Sequence, residues 1–427
     1  AGGAEKVVAF DKNSGSPLWN GKVEGTARGL AVADGRMLVS SDTGAIQCFG
    51  EKGSKAFGSS PQPVDPSPFP TDDMAPAYEA AADHIVQTTG IKRGYCLMLG
   101  CGTGRVAYEL TKRTDLHIYG VEPDPKKAQA ARRMLDAAGV YGARVVIDDG
   151  DLSQIPMADY FANLVVSEEA LISGQMPGGA KEAFRMLKPL GGTIQIGQPA
   201  EAKGKVKPLS PTAMQQWLAE AGIDGGQVSE KDGAWLELCR GPLPGAGSWT
   251  HQYANPGNTT CSDDELVRCP LGVLWFGNPG PTQMAERHRR AAAPLGINGR
   301  MFILGEGEAN RIGAAENSIM AYDAYNGLKL WERKIRGALR TTVTHDAGNS
   351  AVNADSLFVA VDDKCLRLDA ATGETKFTYE LPAAADGQPR RWGYVGVVGD
   401  LLYGSRTVKQ RVADCVFAID LASGELL

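Results

Sequence analysis

One short pattern constrains this chain more than any other feature. It occurs near the start and three times toward the end, and it is missing from the middle. It reads Ala9-Phe-Asp11-Lys-Asn-Ser14-Gly15-Ser-Pro-Leu-Trp19, then Ala321-Tyr-Asp323-Ala-Tyr-Asn-Gly327-Leu-Lys-Leu-Trp331. It returns as Arg367-Leu-Asp369-Ala-Ala-Thr372-Gly373-Glu-Thr-Lys-Phe377 and as Ala418-Ile-Asp420-Leu-Ala-Ser423-Gly424-Glu-Leu-Leu427. Asp-x3-Gly is common to all four, and an aromatic residue stands four beyond the glycine in the three complete copies. The pattern predicts a hairpin. A strand runs into Asp, whose short side chain bonds the turn backbone, Gly supplies a positive φ, and the return strand carries a large ring into the space between neighbouring units. Further strand pairs fall within 29–39, 296–303, 350–359 and 393–402, each with a polar or Gly-rich turn between apolar runs. The last two Asp-to-Asp spacings, 46 and 51, are the size of a four-stranded blade.

These copies resemble the repeats of PQQ-like (quinoprotein-type) β-propellers, over residues 1–50 and 247–427. Ser248–Thr259 resembles the opening segment of such propellers. Closure takes four to eight blades, and about four are present, so the expectation is an incomplete ring and a natural protein longer than this chain. The quinone-dependent members of the family use an adjacent Cys pair, and no two Cys are adjacent here, which argues against bound PQQ. Trp19 and Trp331 are expected to pack between blades.

After Phe49 the pattern stops. Residues 51–74 are rich in Pro, Ser and Gly, the composition of a linker. A helical period follows, with Tyr78, Ala81, Ala82, Ile85 and Val86 on one face and Asp72, Asp73 and Pro76 as start signals. Then comes Tyr95-Cys-Leu-Met98-Leu-Gly100-Cys101-Gly102-Thr103-Gly104-Arg105, a strand, a Gly-rich turn and the start of a helix. Glycines at 100, 102 and 104 let the backbone approach a ligand, and the helix points free N–H groups at it. A second strand, 116–121, ends in Glu122, an acid placed to accept from a ribose diol. Asp124-Pro125 reads as the cap and first residue of the next helix. The turn alone satisfies two patterns: G-x-G-x-G over 100–104, and the dinucleotide pattern over Gly102, Gly104 and Ala107.

Downstream, Gly150-Asp151-Leu152 with Pro156, the strand Phe161–Ser167, and Leu187-Lys-Pro-Leu-Gly191-Gly192 follow in order. Together these motifs resemble the class I S-adenosylmethionine-dependent methyltransferases over residues 75–243. The resemblance implies an α/β Rossmann-like seven-stranded methyltransferase domain, inserted between all-β propeller blades. It implies S-adenosylmethionine as cofactor, with S-adenosylhomocysteine as product. Gly100, Cys101, Gly102 and Gly104 would line the methionine part, and Glu122 would hold the ribose. Asp151 would accept from the adenine amino group beside the Leu152 backbone. Ser167 and Glu168 would face the methyl group and its acceptor, with Glu168 or Glu169 as candidate base. Two positions depart from the family pattern: Met98 stands where an acid that helps hold the cofactor's amino group is common, and Asn163 stands for an acid in strand four. No Asn/Asp-Pro-Pro-Tyr or Pro-Cys motif points to methylation of nucleic-acid bases.

Composition narrows the partners. With 44 Lys and Arg against 50 Asp and Glu the chain is mildly acidic, which argues against nucleic acid, and no apolar run is long enough for a membrane span. The eight Cys show no haem or zinc spacing, and Cys261 and Cys269 read as two separate thiols. His84 and His117 are expected to pack or face solvent. His251, His288 and His345 form no metal-ligand spacing, and no metal is expected. Three functions remain open: methyl transfer to an unknown small-molecule or protein acceptor, with the propeller as a recruitment or interaction module; a binding scaffold with a degenerate methyltransferase domain; and an NAD- or quinone-linked oxidoreductase. No leader is visible at Ala1, so the compartment is extracytoplasmic if a leader was removed and cytoplasmic if not.

Overall fold

A computed structural model of the chain describes residues 1–51, 64–277, 292–306, 317–340, 348–409 and 412–427. His288 and His345, and the first part of the expected linker, lie outside the described residues. The chain divides into two compact units, Ala1–Pro63 and Val64–Leu427.

The first unit is a sheet of four antiparallel strands in sequence order: β1 (Gly2–Phe10), β2 (Pro17–Ala33), β3 (Arg36–Ser41) and β4 (Ile46–Phe49). Asp11 and Gly15 make the turn between β1 and β2. Oδ1 of Asp11 accepts from the amides of Asn13 and Ser14, and Gly15 has φ 69°. The buried core is small: Val7, Val23 and Val39. Phe10, Leu18, Trp19, Leu30, Val32 and Ile46 are exposed.

In the second unit α1 (Ala75–Thr89) buries Tyr78, Ala81, Ala82, Ile85 and Val86, the stripe its period predicts. There follow β5 (Arg93–Leu99), α2 (Arg105–Arg113), β6 (Asp115–Glu122), α3 (Pro125–Ala137), β7 (Val145–Asp149) and β8 (Leu164–Val166). Next come α4 (Glu168–Ser173), α5 (Ala180–Met186), β9 (Thr193–Pro199), α6 (Pro211–Glu220), β10 (Gln227–Ser229) and β11 (Gly233–Cys239). The seven strands lie in the order β10-β11-β9-β8-β5-β6-β7. β7, β6, β5, β8 and β9 run parallel, while β11 is antiparallel to both β9 and β10. Apolar clusters cover both faces of the sheet, as a parallel sheet requires. Asp124 caps α3 by accepting from the amide of Lys126, with Pro125 as first helical residue.

Residues 64–74 are tied to this domain. The Tyr108 hydroxyl donates to the Pro66 carbonyl, and Arg105 donates to the Pro70 carbonyl and to Asp72. This part of the expected linker therefore lies against α2, held by hydrogen bonds that no composition rule anticipates.

The C-terminal repeats form three antiparallel sheets. The first comprises β12 (Leu295–Ile297), β13 (Arg300–Glu306), β14 (Asn317–Asp323) and β15 (Lys329–Lys334). The second comprises β16 (Ser350–Val352), β17 (Ser356–Val361), β18 (Lys364–Asp369) and β19 (Thr375–Glu380). The third has three strands, β20 (Arg391–Val398), β21 (Leu401–Lys409) and β22 (Val412–Asp420). Each Asp-x3-Gly turn has the predicted chemistry. Oδ1 of Asp323, Asp369 and Asp420 accepts from amides two or three residues on, and the following glycines have φ of 72°, 75° and 75°. The rings link one blade to the next. The Trp331 indole donates to the Ala370 carbonyl and lies against Gly373; the Phe377 ring lies against Gly424. Trp275, which the repeat pattern does not mark, does the same to the first blade, donating to the Ala324 carbonyl and lying against Gly327. Trp19 packs edge-on against Phe49 of its own sheet.

The first of these blades is fastened to the seven-stranded sheet at the starts of its strands. Arg93 donates to the carbonyls of Lys329 and Leu330. Lys188 and Asp323 form a largely buried ion pair of 2.7 Å. Oδ1 of Asn163 accepts from the Tyr95 amide and from Nδ2 of Asn326, both at 3.0 Å. Asn163 is thus a structural hub between the sheet and the blade, held through its side-chain oxygen.

Candidate functional site

The ends of β5, β6, β7 and β8 meet around the Gly-rich turn. Gly100, Gly102 and Gly104 have φ of 68°, 52° and 81°, the left-handed region that a side chain disfavours. A Cβ on Gly102 would stand 2.8 Å from Oε1 of Glu168, and one on Gly100 would stand 2.6 Å from the Glu169 side chain. The turn needs glycine at both positions for want of space as well as for φ.

Glu122 closes β6 and is 3% exposed. Its Oε2 accepts from the Gly102 amide at 2.9 Å and its Oε1 from the Asp124 amide at 3.1 Å. Each oxygen keeps a second acceptor position. Glu122 is in register with Asp149 at the end of β7, and the Gly150 amide donates to the Glu122 carbonyl. Asp151 therefore follows at the mouth of the adjacent strand. It is exposed, and its carboxylate accepts from the amide and hydroxyl of Ser153, which hold its pKa below the ordinary value. Leu152 is buried against the α5 side of the sheet. The structure thus brings Gly100, Gly102, Gly104, Glu122 and Asp151 to one edge.

Cys101 is fully buried, its thiol pointing to the Met98 carbonyl, and burial pushes its pKa well up. It is packing rather than a nucleophile. Ser167 caps α4, its Oγ accepting from the Ala170 amide at 3.1 Å.

Glu168 corrects the sequence reading. Neither solvated nor turned toward an acceptor, it is 0% exposed. Its Oε1 accepts from the amide and hydroxyl of Thr103, both at 2.7 Å, and its Oε2 from the Val106 amide at 2.8 Å. Burial pushes its pKa up to about 7, against the pull of these donors. The physical reason for the inward turn is the free N-terminus of α2. Gly104, its cap residue, offers no side chain, and a carboxylate satisfies the orphan amides and the helix dipole. Glu169 is the partly exposed acid, paired with Lys127 at 3.3 Å.

Sequence reasoning missed two neighbours of this turn. Tyr78 of α1, read only as core, is buried near Glu168, and burial together with the charge of Glu168 pushes its phenol up to about 12. Arg105 stands 4.9 Å over the Tyr78 ring while it binds Asp72, so it fastens the approach to α1 onto the turn. The arginine directly after the Gly-rich turn was the available signal. A cavity of about 670 Å³ lies elsewhere, among the last blades between Asp362 and Val408, and contains none of these residues.

Residues 96–191 match the family described as "Methyltransferase domain", and residues 315–427 match the one described as "Outer membrane protein assembly factor BamB". The chain carries a methyltransferase domain and PQQ-like repeats. Among curated relatives, sterol 24-C-methyltransferase erg6 of Aspergillus fumigatus is 31% identical over 121 residues, 27% of this chain and 32% of that protein. Dimethylglycine N-methyltransferase of Parasynechococcus marenigrum is 28% identical over 116 residues, 27% of this chain and 41% of that protein. The chain therefore spans only about a third to a half of the length of the curated relatives it matches. Among solved structures, an S-adenosyl-L-methionine-dependent methyltransferase of Methanococcus maripaludis covers 40% of this chain and 88% of its own, at 24% identity and TM-score 0.35. One of Aquifex aeolicus covers 38% and 89%, at 17% identity and TM-score 0.32.

The cofactor implied by this domain is S-adenosylmethionine. The residues present fit it: a turn in which added side chains would meet Glu168 and Glu169, and a strand-end carboxylate with acceptor capacity to spare. Among the described residues no group of three or more His, Cys, Asp or Glu is placed to hold a metal ion, and no helix is long and apolar enough to cross a membrane.

Proposed function

We propose that this chain binds S-adenosylmethionine at the ends of β5 to β8 and transfers its methyl group to an acceptor. The observation that carries the reading is the Gly102 amide donating to the buried Glu122 carboxylate, which sets turn and sugar-binding acid in one fixed arrangement. When bound, the cofactor supplies a methyl group already activated on a positively charged sulfur.

The chain's own part is then placement. Gly100, Gly102 and Gly104 admit the methionine end, with the Cys101 backbone between them. Glu122 accepts from the ribose hydroxyls through its remaining lone pairs. Asp151 accepts from the adenine amino group beside the Leu152 backbone, and Ser167 stands at the end of β8 toward the methyl group. Glu168, sealed against α2, does not take the acceptor's proton. Transfer then relies on alignment and on an acceptor atom that attacks in its unprotonated form or gives its proton to water after methylation.

The repeats serve as an interaction module. Support for this comes from their attachment: Asn326, Asp323 and Leu330 meet the domain at the starts of its strands, which leaves the cofactor end free.

The test is a melt with S-adenosylhomocysteine or NAD. At about a hundred times its Kd a bound ligand stabilises by about 2.7 kcal/mol. A shift with the adenosyl compound and none with NAD is expected; a shift with NAD alone installs the oxidoreductase. Labelled methyl from S-adenosylmethionine should then appear on a component of a cell extract. Binding without any transfer makes the chain a scaffold.

A further inference from the structure

Position 98 and Glu168 serve one turn from neighbouring elements: Met98 lies in β5, and Glu168 is the first residue of α4, just past the end of β8. Met98 of β5 is paired in register with Val166 of β8, two residues before Glu168. The Glu168 amide donates to the Gly100 carbonyl, two residues past Met98. The Met98 side chain is fully buried among Cys96, Cys101 and Val106 and has no carboxylate to offer the turn. What the turn receives instead is the Glu168 carboxylate, which ties Thr103 to Val106 across the start of α2. No Lys or Arg ion pair with Glu168 is found among the described residues, so its charge answers only to amide and hydroxyl dipoles.

We propose that Glu168 is a positioning residue that does from the start of α4 what a carboxylate at position 98 would do from β5: it holds the Gly-rich turn in its receiving shape and adds to the negative charge that Glu122 brings to Gly102. The part that concerns the cofactor rests on the methyltransferase reading above. Held this way, the amides of Thr103 and Val106 are committed to Glu168, and the charge beside Gly102 favours a cationic ligand over a neutral one. Met98 is then a relocation of charge and not a sign of decay.

The experiment uses the full chain at pH 8 as wild type, Glu168→Gln, and Glu168→Gln with Met98→Asp. Amide exchange is followed at Thr103 and Val106. Calorimetry gives Kd for S-adenosylhomocysteine and for sinefungin, whose amine carries a positive charge where the sulfonium would be. In Glu168→Gln the two amides should exchange at least about tenfold faster, and sinefungin binding should weaken about tenfold, more than that of S-adenosylhomocysteine. Met98→Asp should return the sinefungin Kd to within about threefold of wild type. A purely structural glutamate would lower both affinities equally and gain nothing from the second substitution, and that result overturns the proposal. So does Glu168→Gln with wild-type exchange. If Glu168→Gln does not fold, Glu168→Asp, too short to span Thr103 and Val106, should show the same faster exchange at those amides while keeping the preference for sinefungin, because its charge remains; wild-type exchange in Glu168→Asp overturns the proposal. A wild type that binds neither nucleoside overturns the cofactor reading, while exchange at Thr103 and Val106 still decides whether Glu168 holds the turn.

Discussion

Two kinds of turn in this molecule use the same parts, a glycine with positive φ and a carboxylate that accepts backbone amides, and they differ in where the acid comes from. In the blades the acid lies inside the turn: Asp369 accepts from Ala371 and Thr372, two and three residues on. In the methyltransferase domain it comes from other elements, Glu122 of β6 lying 20 residues from the Gly102 amide it holds and Glu168 of α4 lying 65 and 62 residues from the amides of Thr103 and Val106. A local acid makes a self-sufficient hairpin that can be repeated. A remote one forms the turn only once the sheet has assembled, and so couples the site to the whole domain.

The contrast can be broken at several points. The largest effect should come from Trp331→Ala, which removes the ring from Gly373 and the donor from the Ala370 carbonyl. It should cost about 3 kcal/mol in urea unfolding of the repeats and leave nucleotide binding unchanged. His251 behaves like the remote glutamates, since its Nε2 accepts from the Val397 amide 146 residues away. Burial lowers its pKa from 6.5 to about 4. The unfolded chain therefore binds a proton that the folded chain refuses as pH falls through this window, so stability is full above 6.5 and about 3 kcal/mol is lost by pH 4. Urea midpoints across that range should show the slope, and His251→Gln should flatten it.

Glu122→Gln removes the charge from the Gly102 amide and from the sugar. The Kd for S-adenosylhomocysteine should rise about tenfold or more by calorimetry, with no change in the unfolding of the repeats. Asp369→Ala, the local counterpart, should cost about 1 kcal/mol in the repeats alone, because only one hairpin depends on it. Smallest of all should be Asn163→Asp. The aspartate keeps the oxygen that accepts from Tyr95 and Asn326, so the melting temperature and the Kd should stay near wild type, whereas Asn163→Leu should lower the melting temperature. A large loss of nucleotide binding in Asn163→Asp would place that residue in the site after all.

Legibility follows the same division. The hairpins at Asp323, Asp369 and Asp420 could be read because all their bonds close within five residues. The α1 stripe and the Asp124 cap could be read for the same reason. Trp275 could not, since no Asp-x3-Gly precedes it and its partner, Ala324, lies 49 residues on. Glu168 was expected at an open strand end, where its chain position puts it; the uncapped helix across the sheet turned it inward.

From the sequence alone came the order of the parts: repeats, a Rossmann-like domain, repeats again, with the Gly-rich turn and Glu122 at its strand ends. Those follow from periodicity and from turn chemistry, which act over a few residues. The tertiary structure decided which carboxylate holds the Gly-rich turn from a strand end and which is consumed by a helix terminus, and that Asn163 joins the sheet to the first blade. Buried polar groups must find partners wherever the assembled strands place them, and no local rule sees that far.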